Sequence, residues 1–128
     1  STEDHVFKIL GLHWAGMEKE TKAAAKSLLN LQRDNGGWAQ LPKMKSDAYA
    51  TGQALTVLKQ SGLLKADSPQ YKRGVAWLLK DQKPDGSWHV KTRSKPIQKY
   101  FESGFPHGKD QFISISATCW AVMALVVK

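Results

Sequence analysis

A seven-residue phrase is written twice in this chain. QRDNGGW occupies residues 32–38 and QKPDGSW occupies residues 82–88, so Gln32/Gln82, Gly36/Gly86 and Trp38/Trp88 recur in register. A second match lays ATGQALTVL (50–58) against ATCWAVMAL (117–125), pairing Ala50/Ala117, Thr51/Thr118, Ala54/Ala121 and Leu58/Leu125. Repetition at this spacing marks an architecture of stacked units, each of which buries its apolar face on the next. The unit reads as a helix, the Gln…Gly…Trp phrase, and a second helix. Asn35-Gly36 and Asp85-Gly86 are turn pairs, because Gly accepts positive φ and Asn or Asp tolerates it. A Gln four residues before each Gly carries two donors and an acceptor that can reach the free backbone groups of a neighbouring helix end. The Trp is placed to lie over that amide and exclude water. Each phrase is therefore expected to staple adjacent helix hairpins.

Apolar spacing predicts about five helices and no strand. The first covers His5 to Gly16 with Val6, Ile9, Leu10 and His13 along it. The second runs from Met17 to Arg33 with Ala24, Leu28 and Leu31 inward. Asp47 is the expected N-cap of a third, carrying Ala50, Ala54, Val57 and Leu58 to a stop at Gly62. Ser68-Pro69 reads as N-cap and first-turn proline of a fourth, with Val75, Leu78 and Leu79. Ser114 is the expected cap of the last, which carries Thr118, Val122 and Leu125 on one side. Trp77, Trp120 and Cys119 are expected to pack within the helices, and Trp14 to face core or cavity.

The 128 residues suit one domain, 41% hydrophobic and 23% charged, an ordinary balance for a folded chain. No apolar run approaches the ~20 residues that span a bilayer. The net charge of +8 is spread along the chain; its densest cluster is Lys91, Arg93, Lys95 and Lys99, and nucleic acid is not the expected partner. One cysteine, Cys119, excludes an internal disulfide.

The Gln-x-x-[Asp/Asn]-Gly-[Ser/Gly]-Trp phrase, followed by a small-residue helix, resembles the QW repeat of squalene–hopene and oxidosqualene cyclases. Protein prenyltransferase β subunits use a looser version. The resemblance covers about Leu28 to Leu125 and implies an all-α fold, a segment of an α/α toroid with inner and outer helices in stapled hairpins. Two and a half hairpins make a partial toroid, so the expectation is a fragment of a longer protein that associates with copies of itself or with the rest of its parent.

The resemblance also sets what to look for chemically. The cyclase acid lies in an Asp-x-Asp-Asp motif, and no two Asp residues here lie within three positions of each other. An acid that protonates an alkene needs neighbours that stabilise its conjugate base. In prenyltransferases a zinc-ligand Asp and Cys follow the glycine phrase; here Asp47 falls near the Asp and Tyr49 near the Cys, so the thiolate is missing and helix capping is the expected role of Asp47. Neither metal nor cofactor is expected.

Residues 91–112 form the long connection, with Tyr100, Phe101, Phe105 and Phe112 around a GFPHG turn. Such a stretch is either a binding loop or packing on the domain's own open face. His107 and Asp110 read as a hydrogen-bonded pair ordering it, with His89 nearby. The candidate ligand-binding residues are Tyr49, Tyr100, Phe105, His107, Asp110, Phe112 and Trp120. Three readings follow. The domain holds an isoprenoid-like apolar ligand without catalysis of its own; it is a helical interaction module; or it is the wall of an isoprenoid-processing enzyme completed by further chain.

Overall fold

A computed structural model describes residues 1–95, 97 and 99–126. It holds five α-helices, α1 (Thr2–Trp14), α2 (Glu18–Leu29), α3 (Ala48–Gln60), α4 (Pro69–Asp81) and α5 (Gln111–Val126), with a single 3-10 turn at Gly108–Asp110. No strand occurs among the described residues. This all-α arrangement is that of an α/α toroid segment. The central element is α3, buried without a break from Ala50 to Leu58. It packs most extensively on α5 and also meets α1, α2 and α4. A β-carbon on Gly52 would lie 2.7 Å from the backbone of Trp120 and Ala121, so this glycine sets the close approach of α3 and α5.

The caps expected of Asp47 and Ser68 are in place. Asp47 Oδ1 accepts from the Ala50 amide at 2.9 Å, and Ser68 Oγ from Tyr71 at 3.4 Å. The Ser114 cap is corrected. Ser114 lies inside α5, where its hydroxyl accepts from the Val90 amide at 3.1 Å and donates to the Val90 carbonyl at 3.3 Å. The inward face of α5 is Ser114, Ala117, Ala121 and Ala124; Val122 is exposed. Cys119 is exposed rather than packed in the core, because it falls on the outer side of that stripe. Leu31 lies beyond α2 and Leu79 on the outer side of α4, both exposed, and Trp14 points outward.

Both staples are built, and their inner halves match bond for bond. Trp38 and Trp88 are fully buried, and each indole N–H donates to the carbonyl ten residues back, Leu28 at 2.9 Å and Leu78 at 2.8 Å. Their amides donate to the hydroxyls of Thr51 and Thr118 on the following helices. Gln32 and Gln82 Nε2 each donate to the Gly carbonyl of the same phrase at 2.9 Å. The outer halves differ. Gln32 Nε2 also donates to the Gln70 carbonyl at 2.9 Å, and its Oε1 accepts from Arg73 Nη2 at 3.1 Å, which pins the first turn of α4. Gln82 makes no bond to another helix among the described residues.

Candidate functional site

The site is built on the long connection between Trp88 and α5. Thr92 and His89 close it against Asp110. The Thr92 amide donates to Asp110 Oδ1 at 2.9 Å, and His89 Nε2–H donates to Oδ2 at 2.8 Å. The amide bond first, then the His89 bond, holds the Asp110 carboxyl below the usual carboxylate range. His107 does not bond Asp110. Its Nε2–H donates to Ser87 Oγ at 2.7 Å, because the Ser87 hydroxyl hydrogen goes to Asp85 Oδ1 at 2.6 Å. The rings of His107 and His89 stack 4.6 Å apart, 6° from parallel, with Phe105 edge-on to His107. His107 has φ +86°, a left-handed conformation rare outside glycine. The Ser87 bond and the stack hold it there, so the GFPHG turn is locked onto the second staple.

Gln111, the first residue of α5, organises the other end. Fully buried, it donates through Nε2 to Tyr100 Oη at 2.6 Å and to the Gly108 carbonyl at 3.1 Å, and its Oε1 accepts from Ser103. Tyr100 Oη donates to Glu102 at 2.6 Å. That bond, then the Gly104 amide, lowers the Glu102 carboxyl, and the same bond, then desolvation, raises the Tyr100 phenol. Arg93 Nε donates to Gln40 Oε1 at 2.9 Å, and Gln40 Nε2 to Asp47 Oδ2 at 2.9 Å, so the connection is also tied to the start of α3. Burial raises the Asp47 carboxyl despite these bonds.

The connection leaves a groove of about 760 Å³ at its surface. Ile97, Tyr100, Phe101 and Phe112 line it at 93%, 59%, 68% and 51% exposure, together with Lys91, Lys95, Lys99 and Lys109. Of the seven candidate residues, Tyr100 and Phe112 share this groove. Phe105, His107 and Asp110 form the brace beneath it. Tyr49 and Trp120 line no part of it: Tyr49 donates to Glu3 at 2.7 Å across α1 and α3, and Trp120 backs onto Gly52. Sequence reasoning missed Ser87, Thr92 and Gln111 as members of the network. Ser87 and Thr92 flank the named His89, and Gln111 follows Asp110 directly, so proximity was the available signal. No cluster of three metal-ligating side chains occurs among the described residues.

A lanosterol synthase of Candida albicans (strain SC5314 / ATCC MYA-2876) is 30% identical over 95 residues, 65% of this chain and 13% of its own length. The chain thus spans a small part of that relative. No solved structure matches. Residues 4–128 match the squalene-hopene cyclase C-terminal domain family. With two QW staples between helices and this match across nearly its whole length, the chain belongs to the squalene-hopene cyclase C-terminal domain family.

Proposed function

We propose that the domain binds an isoprenoid-like apolar ligand along the aromatic groove of the 91–112 connection, without catalysis of its own. The carrying observation is that Tyr100, Phe101 and Phe112 stay exposed in one groove while part-buried hydrogen bonds tie the connection's backbone at Thr92, Ser103 and Gly108 to Asp110 and Gln111. Apolar side chains gathered in a preformed concave surface are what a small apolar ligand needs. The carboxylates argue against proton donation. Asp110 is held ionised by Thr92 and His89, whereas a general acid needs a raised pKa. Asp47 is raised, but its oxygens are occupied by Ala50 and Gln40. Farnesol is expected to raise the melting temperature of the chain, and Phe112→Ser to abolish the rise. No rise in the wild type refutes binding; a cyclised product from incubation with squalene or oxidosqualene refutes the absence of catalysis. Among the described residues no helix is long and apolar enough to cross a membrane.

The unequal staples favour a second role, completion by a further helix. A β-carbon on Gly36 would meet the Arg73 carbonyl oxygen at 2.6 Å, whereas one on Gly86 would meet only its own Gln82 at 4.0 Å. The second staple therefore has room for an outer helix like α4, contributed by another part of a larger ring or by a partner. A peptide of the Ser68–Asp81 sequence added in trans is expected to slow hydrogen exchange near Gly86; unchanged exchange counts against this role.

A further inference from the structure

We infer that α3 binds a water molecule inside the fold, held jointly by the side chains of Gln53 and Thr56. Both residues are buried, at 1% and 0% exposure. Gln53 Nε2, Gln53 Oε1 and Thr56 Oγ1 have no hydrogen-bond partner among the described residues. A buried polar atom left unpaired carries the full cost of its desolvation. Elsewhere the fold avoids that cost: Thr2, Gln40, Thr51 and Ser114 are also buried, and each has a partner. Gln53 and Thr56 lie three positions apart on one helix, so their side chains are neighbours on one side of it. Together they offer donors and acceptors. Water matches that set, because it both donates and accepts and makes about three bonds when buried.

Two plainer accounts fail. A hydroxyl inside a helix commonly turns back to the carbonyl four residues earlier. Thr21, Ser27 and Ser116 do so here, onto Met17, Ala23 and Phe112. Thr56 makes no such bond to Gly52. Nor does the repeated architecture ask for polar groups at these positions. In the register that pairs Ala50 with Ala117, Gln53 falls on Trp120 and Thr56 on Met123, so the second copy builds the same helix with apolar side chains. Tyr49, one turn before Gln53, extends the polar side of α3 to a half-buried position and donates to Glu3. Burial and the Glu3 bond raise its phenol, while the Gln53 amide pulls it down. That amide therefore lies near the phenol oxygen without bonding it, an arrangement that one bridging water completes.

The test reads water at the Gln53 side chain directly. In the isotope-labelled intact chain, the Gln53 Nε2 protons are expected to show dipolar cross-peaks to a long-lived water, which the side-chain amide of the exposed Gln60 does not show. Absence of those cross-peaks overturns the inference. Gln53→Met and Thr56→Val keep the volume and remove the polar atoms. Each strands the bonds that the water makes to the other residue, so each should lower the melting temperature by roughly 3–6 °C, and the double variant should lose less than the sum. A rise in either single variant shows atoms that had no partner to lose, and overturns binding. Additive losses show two separate partners and overturn the shared site. Losses that fall short of additive without a water cross-peak show a direct Gln53–Thr56 bond in its place. A mass above that of the sequence, in native mass spectrometry of a chain lacking the cross-peaks, shows that a larger hydroxylic ligand fills the site instead of water.

Discussion

Replacing Gly36 and Gly86 by Ala, one at a time, separates what each staple does. The two residues have nearly the same conformation, φ +89° and +84°. A β-carbon in the left-handed region costs about 1–2 kcal/mol at either position. Gly86→Ala should lose only that, because the new methyl enters open space. At Gly36 the methyl would sit 2.6 Å from the Arg73 carbonyl oxygen and 2.9 Å from its carbon. Both are backbone atoms of α4, so the helix must shift rather than a side chain rotate. Overpacking of this kind adds about 1–3 kcal/mol. Displacing α4 also stretches the Gln32–Gln70 bond, about 1 kcal/mol more. Gly36→Ala should therefore be about 2–4 kcal/mol worse than Gly86→Ala. For a chain of this size that is a difference in melting temperature of roughly 6–15 °C. Urea unfolding of both variants measures it. A difference under about 0.5 kcal/mol, less than either added term, would show that α4 does not rest on Gly36, and the asymmetry of the staples would fall.

Other outcomes are expected from the same contacts. Trp38→Phe and Trp88→Phe should each lose about 2–4 kcal/mol, since each leaves a buried carbonyl without its indole donor and a void beside it; urea midpoints should place them within about 1 kcal/mol of each other, because the inner halves of the staples match. Burial first, then the Glu3 bond, pushes the Tyr49 phenol up to about 12. The folded state favours the protonated phenol, so this contribution is intact below the ordinary value of 10.0 and is lost as pH rises toward about 12. Tyr49→Phe should flatten that alkaline loss, read by denaturation across the range. Asp110 has the opposite sign. Its lowered pKa stabilises the fold above the ordinary 3.8 and that contribution disappears as pH falls through the folded value; the gap in unfolding midpoint between wild type and Asp110→Asn should narrow below 3.8.

Much of the fold was legible because it is written in local chemistry. Asp47 and Ser68-Pro69 start their helices as caps do everywhere, and the Gln…Gly…Trp phrase announces a turn between two helices. The unreadable parts depend on distant partners. Ser114 looks like a cap in sequence, but Val90, 24 residues earlier, supplies backbone groups that its hydroxyl satisfies. Period does not tell which side of α5 faces in, because the helix is apolar nearly all round, so the expectation of a core Cys119 fails. The site was half legible. Aromatics, His107 and Asp110 pointed to the 91–112 connection, yet the expected His107–Asp110 pair is two separate bonds, to Ser87 and to His89. A left-handed His107 that turns its ring toward the second staple leaves no trace in composition. The groove itself, with lysines and aromatics in one recess, arises only when residues on both sides of the GFPHG turn are brought together.

A heteronuclear NMR titration of the isotope-labelled chain with farnesol tests the central claim most directly, because it reports both binding and place. The account predicts saturable shifts concentrated at the amides of Lys91, Thr92, Tyr100, Phe101, Lys109 and Phe112, which line the groove, with Tyr49 and Trp120 unmoved. An unchanged spectrum, or shifts centred on Tyr49 and Trp120, would contradict it.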